Sequence, residues 1–191
     1  MRIAIIGSHC TGKTTLINLI WRCIDFCDYD FYPEAVREIS KLNFQVNEYA
    51  DDSSQLAMCA IHLLHLKHKD IITDRCLLDN YVYAYMLKER GSDISEKCID
   101  ILQHYFLDSI NKYDIYAFCP VEFEIKDDGF RMVDKKFQEE VSDEILRTLV
   151  KYVPQDKFIL LNGETDERIE QLIEFKNAKE KLKCVNNYIH L

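Results

Sequence analysis

The sequence predicts an α/β fold: a five-stranded parallel sheet with helices on both faces, a phosphate-binding loop and a lid segment. Three observations predict it. Short apolar runs alternate with helical patterns along the chain, the signature of βα units. The first run, Arg2–Ile6, leads directly into Gly7-Ser8-His9-Cys10-Thr11-Gly12-Lys13-Thr14, which matches the phosphate-loop pattern G-x-x-x-x-G-K-[ST]. Apolar residues resume at Leu16, Ile17, Leu19 and Ile20, so a helix opens where the loop ends.

Each residue type in that loop has a physical task. Gly7 and Gly12 permit backbone angles that a Cβ forbids, so successive N–H groups can turn around an anion. Lys13 brings positive charge to the β- and γ-phosphates and is expected to face solvent when the loop is empty. The Thr14 hydroxyl suits Mg²⁺. Ser8, His9, Cys10, Thr11 and Thr15 complete the expected ATP cradle, set on the positive end of the following helix.

The remaining elements follow in order. A helix covers about 13–24. Residues 28–32 are aromatic-rich and stop at Pro33, as a strand would. A helix starts at Glu34, and a polar loop runs through Asp51 and Asp52. Ser53 or Ser54 is expected to cap a helix over 55–68. Residues 70–74 form a third strand ending in a carboxylate. Residues 77–90 are helical and stop at Gly91. A helix over 95–111 precedes a fourth strand, 115–119, closed by Pro120. The polar stretch 123–136 holds the turn signal Asp127-Asp128-Gly129, and a lid is placed at about 121–137. A helix over 137–153, a fifth strand over 158–161 and a last helix from Thr165 or Asp166 to about 183 complete the chain. The tail 176–191 is left undecided between packing and dangling.

Composition bounds the function. A length of 191 residues suits one domain, and 48% hydrophobic with 30% charged residues suits a soluble one. No apolar run reaches the ~18 residues that a membrane helix needs, and with the first strand starting at once no signal peptide is expected. Eight scattered cysteines without C-x-x-C pairs read as reduced thiols in a cytoplasmic protein; Cys23 and Cys27 lack a second pair to complete a metal site. A formal net charge of −9 disfavours general nucleic-acid binding without excluding a local basic groove.

Parallel sheets bind ligands beyond the carboxyl ends of their strands, which singles out four places. The first is the phosphate loop. At the second, Glu34 can accept the proton of an attacking hydroxyl, and Arg37, one helical step on, can fix a phosphate or the acceptor. The alternative is a carboxylate serving the helix dipole beside a surface arginine. At the third, Asp74 is placed to hold Mg²⁺ and Arg75 to neutralise a phosphoryl group in transfer, with Asp79 and Tyr83 following on one helical face. The alternative there is a capped helix start with a surface arginine. Beyond the fourth strand lies the lid, where Arg131 stands among Lys126, Lys135 and Lys136; a kinase needs such a segment to exclude water, and an ordinary charged loop is the alternative. His62, His65 and His68 are read as a partly exposed stripe rather than metal ligands.

On Gly7 to Thr14, Glu34-Ala35-Val36-Arg37-Glu38, Thr73-Asp74-Arg75, Asp79, Tyr83, Asp127 to Arg131, Gly163 and Arg168, the chain resembles P-loop kinases of the ribosylnicotinamide-kinase-like family, the AAA-labelled ATPases grouped with kinases of NAD metabolism. The stretch from Asp74 to Gly91 is also similar to deoxynucleoside kinases. The resemblance implies a three-layer P-loop kinase fold, Glu34 as base and Gln55 as the reader of a nucleobase. The lid here carries fewer arginines than in deoxynucleoside kinases. The wider group includes kinases acting on a hydroxymethylated base in DNA, so resemblance leaves the acceptor open. The expectation is an ATP- and Mg²⁺-dependent kinase of a nucleoside or nucleotide, held by Glu34, Arg37, Gln55, Asp79, Tyr83 and aromatic side chains such as Phe31 or Tyr32. Its rivals are a kinase of DNA or RNA and a non-catalytic nucleotide switch.

Overall fold

The computed structural model describes residues 1–122 and 134–189, with side chains to residue 182. Five strands, β1 (Arg2–Ile6), β2 (Asp30–Tyr32), β3 (Ile71–Asp74), β4 (Ile115–Phe118) and β5 (Phe158–Leu160), form one sheet in the order β2-β3-β1-β4-β5. Every neighbouring pair is parallel. The helices are α1 (Lys13–Ile20), α2 (Ala35–Ser40), α3 (Asp52–His65), α4 (Leu77–Glu89), α5 (Glu96–Ser109), α6 (Lys135–Tyr152) and α7 (Thr165–Ile189). The predicted α/β architecture with its five parallel strands is the observed one.

Alternation along β1 divides the interior into two cores, because successive side chains leave opposite faces of a strand. Ala4 and Ile6 join Leu78, Val82, Leu102, Phe106 and Ile145 in the core that α3 to α6 cover. Ile3 and Ile5 join Leu16, Ile20, Ile72, Ile115 and Leu172 beneath α1 and α7. Both faces are thus covered, and the central strands are continuous apolar runs for that reason.

Register places the site. Ile5 stands opposite Asp74 and Ile6 opposite Phe118, so the loop after β1 lies between the carboxyl ends of β3 and β4. Several element ends depart from the sequence reading. The first helix stops at Ile20 and a short 3₁₀ turn, Ile24–Phe26, follows. The third helix starts earlier than expected, because Asp51 is its cap, accepting from the Ser54 N–H; Ser54 Oγ in turn accepts from the Asp51 N–H in the same capping box. The last helix continues to Ile189, so most of the undecided tail is helical. No helix among the described residues is long and apolar enough to cross a membrane.

Candidate active site

Gly7 adopts φ 140°, and a Cβ there would stand 2.5 Å from the Cys119 carbonyl oxygen, so both conformation and space demand glycine. Gly12 at φ 82° and Cys10 at φ 55° supply further left-handed turns that curl the loop. Lys13 does not face solvent: it is 3% exposed, and its Nζ donates to the Ser8 carbonyl and to Thr11 Oγ1, the latter at 3.1 Å. The loop folds its own lysine inward, where a carbonyl and a hydroxyl oxygen replace water. Burial above all, then the Arg75 charge, lowers the ammonium from its usual range to about 8. Thr14 and Thr15 are exposed.

Thr14 and Asp74 meet beside the loop. Thr14 Oγ1 donates to Asp74 Oδ2 at 2.9 Å, while Asp74 Oδ1 is buried with no hydrogen-bond partner among the described residues. Burial, then the nearby Glu34 charge, raises the Asp74 carboxyl. A hydroxyl beside an unsatisfied carboxylate oxygen is a donor set that fits Mg²⁺, which uses one or two protein oxygens together with phosphates and water. Among the described residues no group of three or more His, Cys, Asp or Glu forms a metal cage. Cys23 and Cys27 are free thiols.

Glu34 ends the β2 connection as the cap of α2 and is 4% exposed. Its Oε1 accepts from Arg75 Nε at 2.5 Å, and Arg37 Nε stands 3.7 Å from its Oε2 with the Arg37 side chain half exposed. Arg75 is the hub. Nη1 donates to the Gly7 carbonyl at 2.8 Å and lies 3.5 Å from Asp79 Oδ1, and the guanidinium sits 4.7 Å above the Tyr83 ring. Burial opposes its charge, but Tyr83, Glu34, Asp79 and Asp74 together hold it well above its usual value. Asp79 accepts from the Gly7 N–H and the Cys76 N–H, both at 3.1 Å, so it ties the loop to the start of α4.

These residues wall a cavity of about 90 Å³ that His9, Gln55, His62 and Asn80 also line, closed on its apolar side by Val36, Met58, Leu87 and Phe137. Asn80 Nδ2 donates to Gln55 Oε1 at 2.7 Å. The expected partly exposed histidine stripe is corrected here: His62 and His65 are 2% and 6% exposed, and only His68 lies outside. Helix α3 turns its 62/65 edge onto the cavity and the β2 edge, where His65 packs on Tyr32 with centroids 4.2 Å apart. Burial first, then His65 and Arg75, lowers His62 to about 3. A wider cleft of about 380 Å³ opens on the other side of Glu34, lined by Phe31, Tyr32, Arg37, Thr14 and Asp74.

The structure therefore brings Lys13, Glu34, Arg75, Asp79, Tyr83 and Gln55 together and leaves Arg37 at the cleft mouth. Arg131 and most of the lid lie outside the described residues. Sequence reasoning passed over His62, Asn80 and Gln138 as site residues; Gln138 Nε2 reaches the His9 carbonyl at 2.7 Å from 129 residues away, a contact with no local signal.

A family model described as AAA domain matches residues 2–168. No curated protein matches the chain. Among solved structures, the NadR protein in complex with NR is similar at TM-score 0.72 and 21% identity, covering 93% of this chain and 51% of NadR, so the chain spans about half of that protein's length. Deoxyadenosine kinase from M. mycoides gives 0.69 and 17%, covering 93% and 100%. Shikimate kinase from Aquifex aeolicus gives 0.56 and 14%, covering 94% and 98%. With 167 consecutive positions matched to one family and this sheet order around a phosphate loop, the chain belongs to the AAA domain family and has the α/β P-loop kinase fold.

Proposed function

We propose that the protein is an ATP-dependent kinase that transfers the γ-phosphate to a hydroxyl of a nucleoside or nucleotide. The observation that carries this reading is the position of Glu34. Its buried carboxylate lines both the cavity beside Gln55 and the cleft that holds Thr14 and Asp74. An acceptor in the one and phosphates in the other would meet at that carboxylate. The fold's likeness to a deoxyadenosine kinase and to NadR in complex with NR supports the choice of acceptor class.

Each residue has a task in that reaction. Loop N–H groups and Lys13 hold the phosphates. Thr14 and Asp74 would hold Mg²⁺, which draws charge from the phosphate oxygens. Glu34 takes the acceptor's proton. Its ion pair with Arg75 fixes its direction, which matters most because phosphoryl transfer passes through a loose transition state in which positioning counts above all. Arg75 offsets the negative charge on the moving group, and Arg131 is assigned the same role from the lid. Gln55, Asn80 and Tyr83 orient the acceptor's ring.

The test is incubation with γ-labelled ATP and a pool of nucleosides, nucleotides and oligonucleotides. Label on a small acceptor, lost in Lys13→Ala, is expected. Label on oligonucleotide alone would move the function to polynucleotide ends or bases. Bound nucleotide without transfer would leave a switch.

A further inference from the structure

Three carbonyls of the phosphate loop, at every second residue, are held from outside the loop by side chains of three different elements. Arg75, just past β3, donates to the Gly7 carbonyl at 2.8 Å. Gln138 of α6 donates to the His9 carbonyl at 2.7 Å. Arg168 of α7 donates to the Thr11 carbonyl at 2.7 Å. Gln138 and Arg168 are 0% and 1% exposed, so neither bond competes with water. Arg168 is itself fixed by the Gly163 carbonyl at 2.9 Å and Glu122 at 2.8 Å.

A trans peptide is planar, and its C=O and the next residue's N–H point to opposite sides. The chain has no cis peptide bonds among the described residues. Holding the His9 carbonyl outward therefore turns the Cys10 N–H to the other side of the loop, and holding the Thr11 carbonyl outward does the same for the Gly12 N–H. Gly12 leaves the Thr11–Gly12 peptide free to rotate, and Cys10 is held at φ 55°, a conformation a non-glycine residue does not favour on its own; a rotated peptide at either place would present a carbonyl oxygen to an incoming phosphate.

We infer that Gln138 and Arg168 are positioning residues that aim the Cys10 and Gly12 amides at the phosphates of the nucleotide. The inference rests on the nucleotide-binding reading of the loop and adds two residues that touch no phosphate themselves. A preset amide direction spares the loop a rearrangement at binding, so the effect falls on affinity for phosphate.

The probe is the imido analogue AMP-PNP with Mg²⁺, titrated calorimetrically, with inorganic tripolyphosphate in parallel to isolate the phosphate part. Gln138→Met keeps the side chain's length and removes the donor; affinity for both ligands is expected to fall about tenfold. Arg168→Ala is expected to weaken both by about 10–100-fold, since its bond is charge-assisted. Arg168→Lys keeps a cationic donor and is expected to recover part of that loss. Thermal melting without ligand is measured on each variant. A fall in Tm with unchanged affinity would reduce both residues to packing and overturn the inference. Should Arg168→Ala not fold, Gln138→Met and Arg168→Lys decide alone, and unchanged affinity in both overturns it. A wild-type chain that binds neither ligand would instead overturn the nucleotide reading beneath it.

Discussion

Arg75 grips Glu34 at 2.5 Å from a backbone turned to φ 74°. A non-glycine residue in that region costs about 1–2 kcal/mol. The turn comes where β3 ends, and it carries the guanidinium back over the loop instead of onward with α4. There it reaches Glu34, the Gly7 carbonyl and Asp79 at once. The ion pair fixes the carboxylate's direction, so Glu34 cannot swing away from an acceptor. The strain and the position of the proposed base thus have one cause.

Glu34→Gln keeps the bond from Arg75 and removes the base. Turnover is expected to drop by about 10²–10⁴ while AMP-PNP affinity stays close to wild type. Single-turnover transfer and calorimetry separate the two. A variant that loses nucleotide binding and keeps its rate per bound nucleotide would place Glu34 in the scaffold.

Asp74→Asn keeps an acceptor for Thr14 but removes the charge. The Mg²⁺ concentration for half-maximal turnover is expected to rise about 10–100-fold, with smaller change in nucleotide affinity measured without metal. An unshifted Mg²⁺ curve would take the metal away from this corner.

Acid should loosen the fold through α3. His62 sits at about 3 and His65 at about 4, both below the ordinary 6.5, chiefly through burial. Between pH 6.5 and 3 the unfolded chain takes up protons that the folded chain refuses, so stability falls as pH falls across that window and is unaffected by these groups above it. His62→Gln is expected to flatten the decline in unfolding free energy between pH 6.5 and 4 by on the order of 3 kcal/mol, read as a shallower fall in Tm across that window. Parallel declines in the two proteins would show that His62 protonates without penalty.

Gln55→Leu breaks the amide pair with Asn80 on the cavity wall. KM for the small acceptor is expected to rise at least tenfold with KM for ATP unchanged. The same assay across salt separates the rival acceptors. A short oligonucleotide whose KM is low and climbs steeply with salt, with free nucleosides inert, would favour a polynucleotide, since such binding rests on counterion release.

How much of this was legible in the sequence depends on the range of the forces involved. The five strands, the loop and the carboxylates at strand ends are local patterns, and they stand where the sequence places them. Asp74 and Arg75 adjoin the loop because parallel strands of similar length end together. The burial of Lys13 was not legible, since the cage around it is the loop's own curl. Nor was the inward turn of His62 and His65, which depends on how α3 packs on the β2 edge. Arg168 matched a family segment, but its hold on Thr11 belongs to tertiary packing alone.

The bond from Arg168 to Thr11 joins positions 157 residues apart, which bears on how the protein is made. The ribosome makes the phosphate loop before any of its outer supports, which follow in the order Arg75, Gln138, Arg168. Long-range parallel pairings close slowly, because each must first bring distant segments together. The nascent protein therefore carries a complete loop sequence long before the loop's outer supports are in place, and the aim proposed for its amides waits until Arg168 has been made.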